Sequence, residues 1–117
     1  MNKDPLEKDI EKKVVEYARS LGVLAYKFTS PARRSVPDRM FILPGGKGVF
    51  FIEFKRLGCK PTPSQEVEIE KIRGQGVHVY VVDNVTAGRC LIADILHGAK
   101  NIQTVKGVPV TMDDPAF

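Results

Sequence analysis

The apolar run at 77–82, VHVYVV, is the feature that most constrains how this chain can fold. A strand with so few polar residues is typical of one buried on both faces of a sheet. A second strand-like run, VFFIEFK at 49–55, and a helical segment that ends near Gly74 precede it. A strand, a helix and another strand in this order can form a right-handed parallel crossover. We therefore expect an α/β fold built around a buried sheet.

Helix-capping and turn residues divide the rest of the chain into short elements. Asp4, Pro5 and Glu7 match the start of a first helix, and Thr62 and Pro63 repeat that start for a second. The expected elements are a helix to about residue 21, strands at 23–28, 39–43 and 49–55, a helix at 63–74, a strand at 77–82 and a helix through about residue 96. This α-β-β-β-α-β-α order makes a mixed sheet flanked by helices, because the strands on either side of the turn PGGKG form an antiparallel hairpin.

The length of 117 residues fits a single domain. We assign residues 1–97 to that domain and residues 98–117 to a C-terminal tail. The tail could form a small hairpin around Lys106 and Gly107, in which Pro109 favours a sheet edge. A tail that is disordered, or that docks on a partner as a dimer contact, fits the same residues.

Composition excludes several classes of protein. No apolar stretch approaches the ~18 residues of a membrane span, and the charged start MNKDPLEKDIEKK holds no signal-peptide core. We therefore expect a cytoplasmic protein without a membrane partner. Cys59 and Cys90 form no C-x-x-C pair, so two free thiols are expected. PGGKG lacks the spacing of a P-loop, so no nucleotide cofactor is expected.

Charge is distributed unevenly along the chain. Residues 1–61 carry 13 Lys and Arg against 7 Asp and Glu, whereas residues 62–117 carry 5 against 7. The chain as a whole has a net charge of +4. A basic half of this kind favours a polyanionic partner, and nucleic acid is the usual one.

Two acids and a lysine converge in the expected hairpin. Side chains alternate along a strand, so Glu53 and Lys55 share a face, and the turn returns Asp38 to a position beside Glu53. Two converging carboxylates repel each other, and a hard divalent cation such as Mg²⁺ relieves the repulsion. The cation could activate a water for attack on a phosphate, with Lys55 orienting that water. The same residues could instead form a surface salt bridge with Asp38 in a turn.

Two further polar residues are expected to face the interior. Glu11 falls inside the apolar arc of the first helix, where an unpaired acid is unfavourable; a glutamate at the edge of the arc that reaches solvent is the alternative. Gln65 shares a helical face with Ile69 and Ile72 and could bind a phosphate, a water or a carboxylate. Capping its own helix is the competing role for Gln65. The apolar arc of the first helix consists of Leu6, Ile10, Val14, Tyr17 and Leu21, and it extends past Glu11 through Ala18 and Val15.

These residues, taken in order, resemble the VRR-NUC family of the PD-(D/E)xK nuclease superfamily. VPD at 36–38, the PGG turn and EFK at 53–55 lie between Glu11 and Gln65, and the resemblance spans about residues 7–96. It implies a restriction-endonuclease-like core. The chain departs from the family pattern in two places: its serine stands before VPD where the family usually has glycine, and the middle residue of EFK is usually leucine.

The resemblance implies metal-dependent cleavage of phosphodiester bonds with Mg²⁺ or Mn²⁺. Asp38 and Glu53 would bind the metal together with the main-chain carbonyl of Phe54, and Lys55 would orient the attacking water. The other implied or candidate site residues are Glu11 and Gln65 as supporting acid and amide, Arg33, Arg34 and Arg39 as contacts to the DNA backbone, and Lys27, which could approach a phosphate or remain a surface lysine.

In its size the chain resembles stand-alone, phage-borne VRR-NUC domains. The resemblance implies homodimers that cut four-way DNA junctions. The resemblance therefore implies a structure-selective DNA endonuclease, a Holliday junction resolvase of a phage or prophage that serves DNA repair. Symmetric resolution needs two related cuts, which a two-fold dimer supplies. A nuclease for flaps, nicks or RNA and a non-catalytic nucleic-acid-binding module of the same fold are the alternatives.

Overall fold

The computed structural model describes residues 5–30, 35–98, 101–105 and 108–111, with side chains within 6–30 and 35–98. The elements in chain order are α1 (Pro5–Ser20), β1 (Leu24–Lys27), β2 (Arg39–Ile42), β3 (Val49–Phe54), α2 (Pro63–Gly74), β4 (His78–Val82), α3 (Val85–Leu96), β5 (Asn101–Val105) and β6 (Val108–Thr111). The expected order of helices and strands is confirmed. The predicted N-cap of α1, Asp4, lies outside the described residues. None of the described helices is long and apolar enough to cross a membrane.

The first four strands form one mixed sheet in the order β1-β2-β3-β4. The β1–β2 and β2–β3 pairs are antiparallel, and β3 and β4 are parallel, connected through α2. α1 and α3 pack on one face of this sheet and α2 on the other. Because β4 is covered on both sides, all four residues of the segment 79–82 are buried, as the apolar run predicts.

The turn between β2 and β3 fixes the register on which the site depends. Gly45, Gly46 and Gly48 all have positive φ angles, of 71°, 69° and 132°, which side chains other than glycine rarely adopt. The hairpin that follows pairs Arg39 with Ile52. One further step along this register places Asp38 opposite Glu53.

α1 buries the part of its expected arc that lies around Glu11 and leaves the two ends of the leucine stripe exposed. Leu6 and Leu21 are 60% and 40% exposed, whereas Val15 and Ala18 are 3% and 0% exposed. At about 100° per residue, the buried arc is therefore centred close to Glu11. α1 packs against α3 as well as the sheet.

Asp83, the residue directly after β4, holds the loop that follows β3. Either Asp83 or Asn84 suits the N-cap of α3 in sequence, and the structure assigns that role to Asn84, which accepts a hydrogen bond from Ala87 N at 2.7 Å. Asp83 is buried, and its Oδ2 accepts from Gly58 N at 3.0 Å. The loop between β3 and α2 is thereby tied to the end of the neighbouring strand.

β5 and β6 pair antiparallel as a separate two-stranded sheet. This is the small hairpin that the tail residues allow. Its turn, at 106–107, lies outside the described residues.

Candidate active site

Asp38 and Glu53 meet at one edge of the sheet, where β2 begins and β3 ends. The hairpin register places them opposite each other. Asp38 Oδ2 accepts a hydrogen bond from the backbone N of Phe54 at 2.8 Å. The Asp38 carbonyl accepts another from Phe28 N at 3.0 Å. The aspartate is therefore fixed at both its backbone and its side chain.

Lys55 lies on the same side of the strand as Glu53, as strand alternation predicts. Its Nζ is 3.5 Å from Glu53 Oε2, and the two side chains are 14% and 4% exposed. The salt bridge of the alternative interpretation is therefore present, but it is buried and does not lie at the surface.

Glu53 is an acid that the fold makes difficult to ionise. Burial raises its pKa from 4.5 to about 7, the charge of Asp38 adds to the rise, and Lys55 opposes it. The charge of Glu7 raises the pKa further, by less. A cation bound between the carboxylates would act in the opposite direction and favour the ionised form.

Gln65 links α2 to Glu53 through the nitrogen of its side-chain amide. Nε2 donates to Glu53 Oε2 at 2.9 Å, while the amide oxygen accepts from Thr62 N at 2.9 Å. Gln65 N in turn donates to Thr62 Oγ1 at 3.2 Å, which completes a capping box. The two roles expected to compete for this side chain therefore coexist, because different atoms perform them.

Glu11 points into the protein, and its partner is Arg39. Arg39 Nε donates to Glu11 Oε2 at 2.7 Å, and the Glu11 side chain is 6% exposed. The alternative of an arc-edge glutamate reaching solvent is wrong. A contact between Arg39 and nucleic acid stays a prediction.

Glu7 belongs to the same region and was not expected there. It lies one helical turn before Glu11, on the same side of α1. Its spacing of four residues from Glu11 is the signal that could have identified it. The capping pattern at the helix start instead gave Glu7 a different role.

A hydroxyl pair joins the loop before Asp38 to the start of α2. Ser35 Oγ lies 2.9 Å from Ser64 Oγ. Ser35 stands at the position where the resembled pattern usually has glycine, which has no hydroxyl to make this contact. It connects the segments that carry Asp38 and Gln65.

The remaining predicted contacts to nucleic acid are less defined. Lys27 is exposed at the end of β1, opposite Arg39. Arg33 and Arg34 lie outside the described residues. In the part of the chain that the structure describes, no three His, Cys, Asp or Glu side chains are placed to share a metal ion. The side-chain ligands available at the sheet edge are therefore the pair Asp38 and Glu53.

The candidate site lies at a sheet edge, apart from the cavity beside α2. A cavity of about 400 Å³ lies elsewhere, along α2, lined by residues that include Lys60, Ile69 and Arg73. Neither Asp38 nor Glu53 lines it.

Comparison with known proteins gives two informative similarities. "Putative nuclease p44" of Acyrthosiphon pisum secondary endosymbiont phage 1 is 47% identical over 78 residues, which are 67% of this chain and 83% of the relative. A solved structure of a VRR_NUC domain is similar with a TM-score of 0.70 and 33% identity, over 77% of this chain and 97% of that one. No family model matches the chain.

Proposed function

Because the chain belongs to the VRR-NUC family and is a nuclease of that type, we propose that it is a metal-dependent, structure-selective DNA endonuclease. It acts as a homodimer on four-way junctions, in the DNA repair or recombination of a phage. The observation that carries this proposal is the pair of opposed carboxylates, Asp38 and Glu53, beside the buried Lys55 at one edge of the sheet.

The donor atoms at this edge fit Mg²⁺ or Mn²⁺. Both cations prefer oxygen ligands, and two carboxylates supply them. Gln65 and Lys55 both engage Oε2 of Glu53. Oε1, the other oxygen of this carboxylate, would then be the one that faces a bound cation. The N–H and C=O of a strand residue point to the same side, so the Phe54 carbonyl lies on the side of Asp38.

Each residue of the site then has a definable task. A bound cation would supply Lewis-acid activation of the phosphate and a more acidic water. Asp38 and Glu53 would hold it, and Gln65 would keep Glu53 oriented through the bond to Oε2. Lys55 would place positive charge beside the attacking water and the developing charge on the phosphate.

The basic half of the chain supports binding to the DNA backbone. Asp38 follows closely after Arg33 and Arg34 in sequence, so their charges are near the cleavage site along the chain. Lys27, exposed at the end of β1, adds to the same end of the sheet. Contacts of this kind recognise phosphates and carry no sequence information, which suits selection by DNA shape.

A dimer follows from the geometry of the substrate. One copy of this small domain has one such carboxylate pair, and a four-way junction needs two symmetric cuts. An isologous dimer presents two sites related by a two-fold axis.

Cleavage of a panel of labelled DNAs tests the proposal. Wild type, Glu53→Ala and the control Glu66→Ala, an exposed acid of α2, are incubated with four-way junctions, flaps, nicked duplex and RNA, with Mg²⁺ or Mn²⁺. We expect paired symmetric cuts in the junction by wild type and Glu66→Ala, and none by Glu53→Ala. Equal cleavage by Glu53→Ala would overturn the assigned chemistry.

Other outcomes of this panel separate the alternatives. Preferred cleavage of flaps, nicks or RNA would replace the junction as substrate while leaving the chemistry in place. Binding to DNA that is equal in EDTA and in Mg²⁺, with no cleavage of any substrate, would favour a non-catalytic module.

A further inference from the structure

The Arg39–Glu11 pair joins α1 to the first residue of β2. It is a charge-assisted hydrogen bond of 2.7 Å, a short distance typical of a strong contact. The Glu11 side chain is 6% exposed and that of Arg39 17% exposed, so Glu11 is the inner partner and Arg39 the outer one. The helix therefore holds a guanidinium near the surface.

Only one nitrogen of this guanidinium is used by Glu11. The bond is made by Nε, and within the described residues the two terminal nitrogens of Arg39 make no further hydrogen bond. They are not among the fully buried unpaired atoms of those residues. A guanidinium with its terminal N–H groups free presents the fork that matches two oxygens of a phosphate.

Arg39 also stands next to a proposed metal ligand. Because side chains alternate, Asp38 and Arg39 point to opposite faces at the same end of β2. A DNA strand that crosses this sheet edge with one phosphate at Asp38 and Glu53 would bring a neighbouring phosphate towards Arg39.

We propose that Arg39 binds a backbone phosphate beside the one that is cleaved, and that Glu11 is the positioning residue that holds Arg39 for this contact. Glu11 thus acts through Arg39 and not through the metal. The inference rests on the proposed function, since it assigns a contact to the same substrate.

The test compares Arg39→Met, Glu11→Gln and the double variant with wild type. Arg89→Met, which removes an exposed arginine on α3, is the control for loss of charge. Affinity for a fluorescent four-way junction is measured in EDTA at several salt concentrations. Affinity for Mn²⁺ is measured without DNA by calorimetry, and circular dichroism melts confirm that each variant is folded.

The expected change in DNA affinity of Glu11→Gln is opposite to the change that its charge alone would cause. Glu11→Gln removes a negative charge, which by itself would strengthen binding to DNA. We expect it instead to weaken junction binding about five-fold, because Arg39 loses its orientation. Arg39→Met should lower the slope of log K against log salt by about 1, whereas Arg89→Met should leave it unchanged.

The double variant separates positioning from independent roles, and it leaves neither member of the Arg39–Glu11 pair without the other. We expect its junction affinity to match that of Arg39→Met, since both residues act through one contact. Affinity for Mn²⁺ should stay at the wild-type value in all variants. In steady-state cleavage the KM should rise while kcat is retained.

Two results would overturn the inference. One is a loss of Mn²⁺ affinity of about 10–100-fold in Glu11→Gln, the range expected for a residue that supports a metal ligand. The other is junction binding that is unchanged or stronger in Glu11→Gln and unchanged in Arg39→Met. Neither of these two results depends on cleavage. A wild-type protein that binds DNA without cutting it would therefore contradict the proposed function and not this inference.

Discussion

Glu53 is the residue in which stability and function are most clearly opposed. It is 3% exposed and lies opposite Asp38, in a strand whose neighbouring positions Ile52 and Phe54 are both fully buried. An apolar residue there would avoid burying a charge. Acids with strongly raised pKa values beside a second acid are typical of functional sites.

The pKa of Glu53 leads to a prediction about stability and pH. It is about 7 in the folded chain against an ordinary 4.5, so the folded state binds more protons between these values. Stability is therefore greatest below pH 4.5 as far as this group is concerned and falls as pH rises through 7.

Without metal, Glu53→Gln should therefore be more stable than wild type at pH 8, by on the order of 2 kcal/mol, and close to it near pH 5. Urea unfolding in EDTA at both pH values measures this. A Glu53→Gln variant that is less stable than wild type at pH 8 would contradict the assigned pKa.

Gln65 can be separated from its capping partner by mutation. Thr62→Ala removes the hydroxyl that accepts a hydrogen bond from Gln65 N. Gln65→Ala removes the other half of the capping box, the acceptor for Thr62 N, and with it the donor to Glu53. Both variants should lose about 1 kcal/mol of stability. Only Gln65→Ala should slow cleavage of the preferred DNA substrate beyond what unfolding explains. Equal rates in the two variants would show that Gln65 serves the helix alone.

At the scale of elements, the contact between α1 and α3 depends on one glycine. A Cβ atom at Gly88 would lie 2.6 Å from Val14 Cγ2 and 3.2 Å from Val82 Cγ1. These contacts are with a packed core that can shift little.

Gly88→Ala should therefore destabilise the protein by about 1–3 kcal/mol, although alanine favours helix formation. Adding Val14→Ala should restore part of the loss. Gly74→Ala is the control, because nothing lies within 4 Å of a Cβ there. Urea unfolding of all four chains gives the comparison, and a Gly88→Ala variant as stable as Gly74→Ala would contradict the close approach.

The elements were predictable because each has a local signal. The glycines of PGGKG specify a turn, Thr62 and Gln65 form the capping box that their spacing predicts, and residues 79–82 of the apolar run are buried as expected. The rotation of α1 has no such signal. Leu6 is 60% exposed, and which part of an apolar arc is buried depends on packing between elements that are distant in sequence.

The site was predictable only to the extent that strand alternation and the hairpin turn determine it. They place Glu53, Lys55 and Asp38 together. The pairing of Arg39 with Glu11 joins residues 28 positions apart, on a helix and a strand, so neither local pattern contains it. Gln65 reaches Glu53 for a similar reason, because the packing of α2 and not its periodicity sets that distance.

At the scale of the whole molecule, three layers converge on one sheet edge. α1 contributes Glu11 and Glu7, and the hairpin contributes Asp38 and Glu53. α2 contributes the side-chain amide of Gln65. The acidic side chains thus meet at one edge of a chain whose net charge is +4. The net positive charge of the chain attracts DNA. The acids at the edge repel its phosphates locally, unless a cation neutralises them.

The proposed dimer is tested by light scattering on the full-length chain. We expect a mass of twice the 13.0 kDa of one copy. A chain that ends at Gly98 tests the tail: loss of the dimer would place the contact in the hairpin, and retention would place it on the main sheet or helices. A full-length protein that is monomeric at the concentrations where it resolves junctions would contradict the dimer.

The measurement that tests the metal site most directly is an anomalous difference map from crystals grown with Mn²⁺. We expect a peak between the carboxylates of Asp38 and Glu53, about 2 Å from their oxygens and from the carbonyl oxygen of Phe54. The same crystals of Glu53→Gln should lack it. Full Mn²⁺-dependent cleavage by a protein whose map shows no peak at this edge would contradict the assignment of these residues as the metal site.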